Sequence, residues 1–221
     1  MKIDLLTLFP AMAEGFLSES IIARAQEAGF LQLAVHDLRK WSNDPKHHRV
    51  DDRPFGGGPG MVIKPEPIAD ALEALKSPAA HVVYMAPDGE KLTPKIAQEL
   101  AKKEHIIFLS GHYEGIDERV RETAIHQEIS IGEYILTNGT LPACVVIDCL
   151  ARFIPGVLGN ENSLTNESFC NNVLSFPQYT RPVEYKGMKV PTVLLGGNHA
   201  EIEAWRRAKA AERTKKRNLL Q

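Results

Sequence analysis

Apolar residues follow two different periods along the chain. Five short runs rich in apolar and β-branched residues predict β-strands, and they are KIDLLTL, LQLAVHDL, HVVYMA, HIIFLS and EISIGEYIL. Between these runs apolar residues recur every three or four positions, which is the period of a helix, at 17–29, 66–76, 94–103 and 143–153. Strands that alternate with helices predict an α/β fold, with a largely parallel sheet covered by helices on both faces.

Residues with strong positional preferences mark two of the helix boundaries. Thr93 and Pro94 supply a cap and a first-turn proline for the helix at 94–103. Gly29 ends the predicted helix at 17–29, before the second strand begins.

The dipeptide Asn138-Gly139 poses a choice between a hairpin turn and a loop. Asn-Gly between apolar runs favours a hairpin. However, Pro142 follows it, and the apolar residues behind Pro142 recur at helical spacing. Proline suits the first turn of a helix, so we predict a strand, a loop and a helix in this order.

The pattern changes after residue 159. Residues 160–172 are polar, rich in Asn and Ser, and lack apolar periodicity, which predicts an interdomain linker. Residues 173–221 contain a predicted short strand, KVPTVLL, and a basic helical stretch. Between Glu201 and Arg217 seven cationic side chains oppose three acidic ones, so this stretch carries +4 although the whole chain carries −2. We therefore predict two domains, 1–159 and 173–221.

Length and composition exclude several classes of protein. The 221 residues are 43% hydrophobic, which suffices for a buried core. No apolar run approaches the roughly 20 residues of a membrane span, and the first residues lack the features of a signal peptide, so we expect a cytoplasmic protein without membrane contact. Cys144, Cys149 and Cys170 lack metal-ligand spacing, which favours free thiols.

Two glycine-containing stretches do not match common nucleotide motifs. RPFGGGPGMV is not a P-loop, and no GxGxxG follows the first strand. An NTPase or a dinucleotide-dependent oxidoreductase is therefore disfavoured. The glycines of RPFGGGPGMV could form a surface loop, or they could allow a ligand or RNA to approach the backbone closely.

Glycines and polar residues follow three of the predicted strands, in MAPDG, GHYEG and SIGEYILTNGTLP. In open α/β sheets ligands bind beyond the carboxyl ends of the strands, so these three junctions could converge on one crevice. Asp117 and Glu118, which follow GHYEG, could also be the first turn of a helix, where the helix dipole favours acidic residues.

With these segments in view, the sequence resembles the bacterial tRNA (guanine-N1)-methyltransferase family of the SPOUT class over nearly its whole length. The segments that carry the resemblance are DLLTLFP, VDDRPFGGGPGMV, APDG, GHYEGIDERV, EISIGEYILTNGTLPA, ARFIPGVLG, PQYTRP and GNHAEIEAWR. The resemblance implies a deep trefoil knot, which general topology rules disfavour. It also implies a homodimer, with its active site at the subunit interface, that transfers a methyl group from S-adenosyl-L-methionine to N1 of the guanine immediately 3′ of the anticodon in tRNA.

The resemblance further implies how S-adenosylmethionine is held. The segment IGEYILTNGTLP would be the knotted loop, with main-chain groups of Ile131, Tyr134 and Leu136 holding the adenine. A rigid loop with backbone donors suits a ligand that must be bent. The implied cofactor-binding residues are Met85, Ala86, Pro87, Gly111, Tyr113, Glu114, Gly115, Ser130, Ile131, Gly132, Glu133, Tyr134, Ile135, Leu136, Asn138, Gly139 and Pro142.

The chemistry requires a base, because guanine N1 carries a proton at neutral pH. The family uses an aspartate of the linker, and Glu167 occupies the matching position here. Negative charge then spreads toward guanine O6, where an arginine would stabilise it, and Arg152 matches the family's arginine. Glu167 is one methylene longer than aspartate, and a misplacement of about 1 Å can cost about a hundredfold in rate.

Other implied features concern tRNA and the details of the cofactor loop. The implied substrate-binding residues are His48, Arg49, Asp52, Arg53, Ser168, Arg206 and Arg207. The resemblance also suggests assistance by Mg²⁺, although no segment has a metal-site signature of its own. The chain departs from the family in four cofactor-loop positions: Ala86 and Asp88 replace Ser and Gln, and Asn138 and Thr140 replace Gly and Glu.

Two other functions stay open from the sequence. The first is a SPOUT methyltransferase that acts on a ribose 2′-hydroxyl. The second is an RNA-binding protein that keeps the fold but has lost activity through the change at Glu167.

Overall fold

A five-stranded parallel sheet forms the centre of the first part of the chain. In chain order the strands are β1 (Lys2–Thr7), β2 (Gln32–Asp37), the short antiparallel pair β3 (Asp51–Asp52) and β4 (Val62–Ile63), β5 (Ala80–Lys91), β6 (His105–Ser110) and β7 (Gln127–Ser130). The sheet has the order β2-β1-β6-β5-β7, and all neighbours are parallel. The predicted α/β class with a central parallel sheet is confirmed.

The structure is a computed structural model, which describes residues 1–159, 167–169 and 173–217. The chain separates into two units, Met1–Gly159 and Asn160–Gln221. Of the predicted linker at 160–172, only residues 167–169 fall within the described ranges. No helix in the described ranges is long and apolar enough to cross a membrane.

Six helices accompany the sheet, and they are α1 (Pro10–Leu17), α2 (Ser20–Glu27), α3 (Pro65–Leu75), α4 (Pro94–Leu100), α5 (Glu118–Ala124) and α6 (Thr140–Ala151). The side chain of Thr93 caps α4 by accepting a hydrogen bond from the Ile96 N–H. Gly29 has a φ of +76°, the left-handed conformation that ends α2. Both predicted boundaries are confirmed, and so is the order of strand, loop and helix around Asn138.

Alternate residues of the central strands supply two separate cores. On β6, Ile106 and Phe108 face the core that includes α1, α2, α4 and α6. Ile107 and Leu109 face the other core, which includes α3, α5 and the 3₁₀ turn Leu38–Trp41. Helices therefore cover both faces of the sheet, as a parallel sheet requires.

Three predicted elements differ from the structure. The predicted helix at 17–29 is α2 alone, because α1 ends at Leu17. The predicted strand EISIGEYIL ends at Ser130, since the last β5 residue that pairs with β7 is Lys91. The predicted strand KVPTVLL is wrong: Thr192–Leu194 form a 3₁₀ turn that follows Pro191, whose nitrogen cannot donate to a strand ladder.

The second unit contains the hairpin of β8 (Glu184–Tyr185) and β9 (Met188–Lys189), and the long helix α7 (His199–Lys216). The side chain of Asn198 caps α7 by accepting hydrogen bonds from the Ala200 and Glu201 N–H groups. Thr214 of α7 is buried and accepts a hydrogen bond from the Leu174 N–H at 2.9 Å. The predicted basic helix therefore exists and anchors the chain around Leu174.

Two cysteines lie in the described residues as free thiols, Cys144 buried and Cys149 half-buried. Burial raises the pKa of Cys144 to about 11. The third cysteine, Cys170, lies outside the described residues.

A buried carboxylate links three strands of the sheet. Asp4 on β1 accepts hydrogen bonds from His36 on β2 and His105 on β6, both at 2.7 Å, and Lys2 lies at 3.0 Å. Burial by itself raises the pKa of Asp4, but the hydrogen bonds from His36, Lys2 and His105 outweigh it and lower the pKa. The ionised carboxylate is thus favoured in the folded state.

We expect Asp4→Asn to lower the free energy of unfolding at pH 7 by about 2–3 kcal/mol, since hydrogen bonds to a buried charge are lost. Because folding lowers the pKa of Asp4, its contribution is complete above the unfolded pKa of about 3.9 and is lost as the pH falls toward the folded value. Urea denaturation at pH 7 and at acidic pH, with the exposed Asp70→Asn as a control, measures both effects. Equal unfolding free energies for the two variants at pH 7 would contradict the assignment.

Candidate active site

A cavity of about 410 Å³ opens at the carboxyl ends of β6 and β7 and beside the middle of β5, where residues 84–88 line it. The predicted junction MAPDG therefore lies within β5, which continues to Lys91 after a shift in register. The cavity volume lies in the range of small-molecule sites, roughly 300–1,000 Å³. The structure brings the three strand-to-loop junctions together in this cavity. The lining residues include these from the sequence prediction: Met85, Ala86, Pro87, Gly111, Tyr113, Glu114, Gly115, Ser130, Ile131, Gly132, Tyr134, Ile135, Leu136, Asn138, Gly139 and Pro142.

One residue predicted for this site points elsewhere. The Glu133 side chain is 92% exposed and pairs with Lys91, with 3.4 Å between Oε1 and Nζ. Its neighbours Gly132 and Tyr134 do line the cavity, whereas its own side chain turns to solvent.

The loop at 131–139 is fastened to the neighbouring strand end. The Gly139 N–H donates to the Gly111 carbonyl at 2.8 Å, and His112 Nδ1 donates to the Thr137 carbonyl at 2.9 Å. Asn138 Oδ1 accepts a hydrogen bond from the Thr140 N–H, which opens α6. The loop therefore cannot leave the cavity without breaking contacts to the segment that follows β6.

The side chain of Thr140 adds a second, buried attachment. Its hydroxyl lies 2.7 Å from the Thr7 hydroxyl and 3.0 Å from the Ser110 hydroxyl, at the ends of β1 and β6. Thr140 is fully buried. The departures at Asn138 and Thr140 therefore have structural roles: the Asn138 side chain accepts a hydrogen bond from the first residue of α6, and Thr140 connects α6 to the sheet.

The cavity walls are apolar side chains with main-chain groups between them. Tyr113, Tyr134, Ile135 and Leu136 are at least 39% exposed, which leaves their apolar surfaces available to a ligand. Within the part of the chain that the structure describes, no group accepts a hydrogen bond from the Leu136 N–H. This arrangement suits a flat, partly apolar ligand held through backbone donors.

Two glycines allow the close approach of the segments around the cavity. A Cβ on Gly139 would lie 3.0 Å from both the Gly111 nitrogen and Met85 Cβ, and a Cβ on Gly111 would lie 2.8 Å from the Tyr84 hydroxyl. In RPFGGGPGMV, only Gly60 meets such crowding, because its Cβ would collide with the Glu114 side chain, whereas Gly56, Gly57 and Gly58 face open space.

We expect Gly139→Ala to lower the free energy of unfolding by about 1–3 kcal/mol, because the added methyl group meets backbone that cannot yield. Gly15→Ala is the matched control, since no atom lies within 4 Å of a Cβ there and the site is inside α1. That control should be stabilising by about 0.5–1 kcal/mol. Thermal or urea denaturation measures both variants, and a Gly139→Ala protein as stable as the control would refute the crowding.

The cavity also contains residues that the sequence analysis did not assign. They are Tyr84, Asp88, His112, Arg121, Ile129 and Thr137. The sequence contains no signal for Arg121, because α5 has seven residues and only Val120 among them is buried. The alternative interpretation of Asp117 and Glu118 as a helix start is confirmed, since Asp117 caps α5. Asp88, one of the departures, has Arg121 as its ionic partner at 2.7 Å.

The four residues proposed for tRNA binding in the first unit lie on the surface. His48, Arg49, Asp52 and Arg53 are exposed, in and beside β3. Within residues 1–159, none of these four lines the cavity. Arg152 ends α6 and is half-buried.

Glu167 lies in the second unit and lines a small cavity of about 120 Å³ with Arg206 and Arg207. The neighbouring Ser168 hydroxyl lies 3.0 Å from the Ser175 hydroxyl and accepts a hydrogen bond from the Ser175 N–H. The Arg206 guanidinium stacks over Phe176, with 4.8 Å to the ring centroid, and pairs with Glu203. Glu167, Ser168, Arg206 and Arg207, predicted from widely separated segments, are therefore grouped.

Comparisons with known proteins identify the family. The model of the family described as tRNA (Guanine-1)-methyltransferase TrmD matches residues 1–220. The tRNA (guanine-N(1)-)-methyltransferase of Bacillus subtilis (strain 168) is 52% identical over 217 residues, 97% of this chain and 89% of that protein. That of Staphylococcus carnosus (strain TM300) is 53% identical over 97% of this chain and 87% of the relative. The tRNA (guanine-N(1)-)-methyltransferase of Geobacter sulfurreducens is 53% identical over 98% of this chain and 89% of that protein.

These matches span both units, and they confirm the family and the transferase class that the sequence motifs predicted. The chain belongs to the tRNA (guanine-1)-methyltransferase TrmD family.

Proposed function

We propose that this chain transfers a methyl group from S-adenosyl-L-methionine to N1 of the guanine immediately 3′ of the anticodon in tRNA. Family membership supports the reaction. The structural observation that carries the proposal is the cavity beside β5 and at the ends of β6 and β7, bordered by a loop that Gly111, His112 and Ser110 fasten at its base.

The cavity fits S-adenosylmethionine in size and chemical character. When bound, this donor supplies a methyl group activated by a positively charged sulfonium. Tyr113, Ile135 and Leu136 offer apolar surface to an adenine ring, and the Leu136 N–H is available as a donor to a ring nitrogen. Gly111 and Gly139 keep the two walls close without side chains in between.

The proposed proton acceptor is Glu167. Removal of the N1 proton makes that nitrogen a nucleophile, and a carboxylate placed beside it can accept the proton. Arg152, at the end of α6, would stabilise the charge that develops on guanine O6. Glu167 shares a cavity with Arg206 and Arg207, so the base is next to cations that we assign to the tRNA backbone.

The basic second domain would position tRNA. Residues 173–221 form the proposed tRNA-binding domain, residues 1–159 the donor-binding domain, and 160–172 the linker between them. Phosphate contacts from Arg206 and Arg207 fix register, whereas the identity of the base is read in the donor cavity. His48, Arg49, Asp52, Arg53 and Ser168 would then contact the target guanine after it leaves its stack.

We also propose the trefoil knot of the SPOUT class in this chain. The antiparallel bridge between His112 and Asn138, and the Gly139–Gly111 hydrogen bond, join the loop after β6 to the loop after β7. Such mutual attachment supports a threaded arrangement of the two loops, which would also make the donor loop rigid.

We also propose a homodimer, which an apolar surface beside the cavity supports. This α1/α6 surface consists of Met12 and Phe16 on α1 and Leu141 and Val145 on α6, which are 50%, 46%, 52% and 39% exposed. Exposed apolar side chains grouped on one face mark an interaction site. Pro142, between Leu141 and Val145, lines the cavity, so a second copy seated on this surface would stand at the active site.

No step is assigned to Mg²⁺. Within residues 1–159, 167–169 and 173–217 no group of three or more His, Cys, Asp or Glu side chains could hold a metal ion. We propose that the reaction takes place in the cytoplasm, where tRNA is used.

Transcripts with a changed target base test the assigned atom. Inosine in place of the target guanosine keeps the N1–H group, so methylation of N1 should continue. Adenosine has no proton on N1 and should give no product. A ribose 2′-hydroxyl methyltransferase would tolerate both changes, so equal methylation of all three transcripts would overturn the proposal.

A further inference from the structure

A single arginine of α5 joins two walls of the cavity. Arg121 Nε and Nη2 each lie 2.5 Å from one oxygen of Glu128, which is on β7. Nη2 also lies 2.7 Å from Asp88 Oδ2. The Arg121 side chain is 24% exposed and that of Glu128 is 27% exposed. The two parallel hydrogen bonds between them are therefore partly shielded from water, and such ion pairs are stronger than those on an open surface.

The wall that contains Asp88 lacks regular strand pairing. The ladder between β5 and β7 shifts register between Met85 and Glu90, so the residues from Ala86 to Gly89 fall outside it. Ala86, Pro87 and Asp88 line the cavity. A segment released from its ladder needs other attachments if it is to keep one conformation.

Two contacts with β7 hold this segment. At Gly89 the backbones touch, since a Cβ there would lie 2.6 Å from the carbonyl carbon of Glu128. The other contact is the Arg121 bridge, which reaches the same Glu128 through its side chain. The hydrogen bond from Arg121 also lowers the pKa of Asp88 and keeps that carboxylate ionised.

Arg121 also supports the segment that follows β6, indirectly, through the side chain of Tyr84 on β5. Its guanidinium carbon lies 5.7 Å from the centroid of the Tyr84 ring, within the range of a cation–π contact. Tyr84 is 5% exposed, and its hydroxyl lies against the place where a Gly111 Cβ would be. Arg121 thus contacts residues of β5 and β7 directly and reaches the segment after β6 through Tyr84.

We propose that Arg121 is a positioning residue for the methyl donor, which keeps the segment after Met85, the start of β7 and Tyr84 in the geometry that binds the donor. The inference rests on the proposed function, because it takes S-adenosylmethionine as the ligand of the cavity. Arg121 acts through its neighbours and does not take part in the proton transfer assigned to Glu167.

Calorimetric titration of the full-length protein with S-adenosylmethionine tests this role. We expect Arg121→Gln to weaken binding about tenfold and to raise the KM for the donor by a similar factor, with the KM for tRNA within about twofold of the original value. Arg119→Gln is the matched control: it removes the same charge from the same helix, but Arg119 is 74% exposed and pairs only locally with Asp117. The control should bind the donor as the unchanged protein does.

A double variant separates positioning from general stability. Arg121→Gln together with Glu128→Gln removes both charges, so its loss of donor affinity should be smaller than the product of the two single losses. If Arg121→Gln proves too unstable to titrate, Arg121→Lys replaces it: it keeps the charge but cannot form the fork, and we expect weaker donor binding there too.

Donor affinity unchanged in Arg121→Gln or Arg121→Lys would overturn the inference, as would equal increases in KM for donor and tRNA with a lowered melting temperature. Failure of the proposed function has a different signature, because the unchanged protein itself would then not bind S-adenosylmethionine.

Discussion

Glu167→Gln is expected to lower kcat for tRNA methylation at least a hundredfold, since a general base contributes about 10²–10⁴ in rate. The amide keeps the size and hydrogen-bonding capacity of the side chain but cannot accept the N1 proton. Donor affinity should stay unchanged, because the carboxylate is assigned to the N1 proton of the guanine and not to the donor. Single-turnover kinetics with saturating donor and tRNA measure the chemical step.

Two controls make this result specific. Glu167→Asp keeps the carboxylate, shortens it by one methylene and introduces the residue that the family resemblance implies at this position, so it should retain activity. Raising the pH removes the guanine N1 proton without enzymatic help, so it should recover part of the rate of Glu167→Gln. Full activity of Glu167→Gln at neutral pH would show that another group accepts the proton.

Val145→Glu is expected to disrupt the proposed homodimer and to lower methyl transfer by at least two orders of magnitude. A carboxylate on the α1/α6 surface would have to lose its water when a second copy covers it, and an unpaired buried charge costs several kcal/mol. In the monomer the side chain is 39% exposed, so the fold itself should tolerate the change. Light scattering gives the mass, and labelled methyl transfer gives the rate.

Gln98→Glu provides the control, since it adds the same charge to an exposed position of α4. It should remain dimeric and active. Activity of Val145→Glu should rise with protein concentration if dimerisation is weakened, as mass action requires. A fully active monomer would contradict an active site built at the subunit interface.

Much of the fold was predictable because its signals are local. The five sheet strands are runs of apolar and β-branched residues, and α4 has a threonine cap with a proline behind it. By contrast, α5 is seven residues long with only Val120 buried, too short for a periodic pattern. The end of β7 depends on where β5 stops pairing, and the sequence of β7 contains no information about that.

The position of the site was predictable from topology, but its electrostatic support was not. Residues that follow parallel strands meet at one edge of the sheet, and the three loops do so here. Arg121 and Asp88 are 33 positions apart, and only the folded chain brings them together. Glu133 shows the reverse case, because its neighbours along the chain line the cavity whereas its own side chain is exposed and pairs with Lys91.

The measurement that tests the account most directly is methyl transfer from labelled S-adenosylmethionine to an unmodified tRNA transcript with guanines at the target position and just 5′ of it. Digestion to nucleosides then identifies the product. The account predicts 1-methylguanosine at the position immediately 3′ of the anticodon, formed by a chain in which Glu167 replaces the aspartate of the family. Intact donor binding without any methylated nucleoside, or methylation on the ribose, would contradict it.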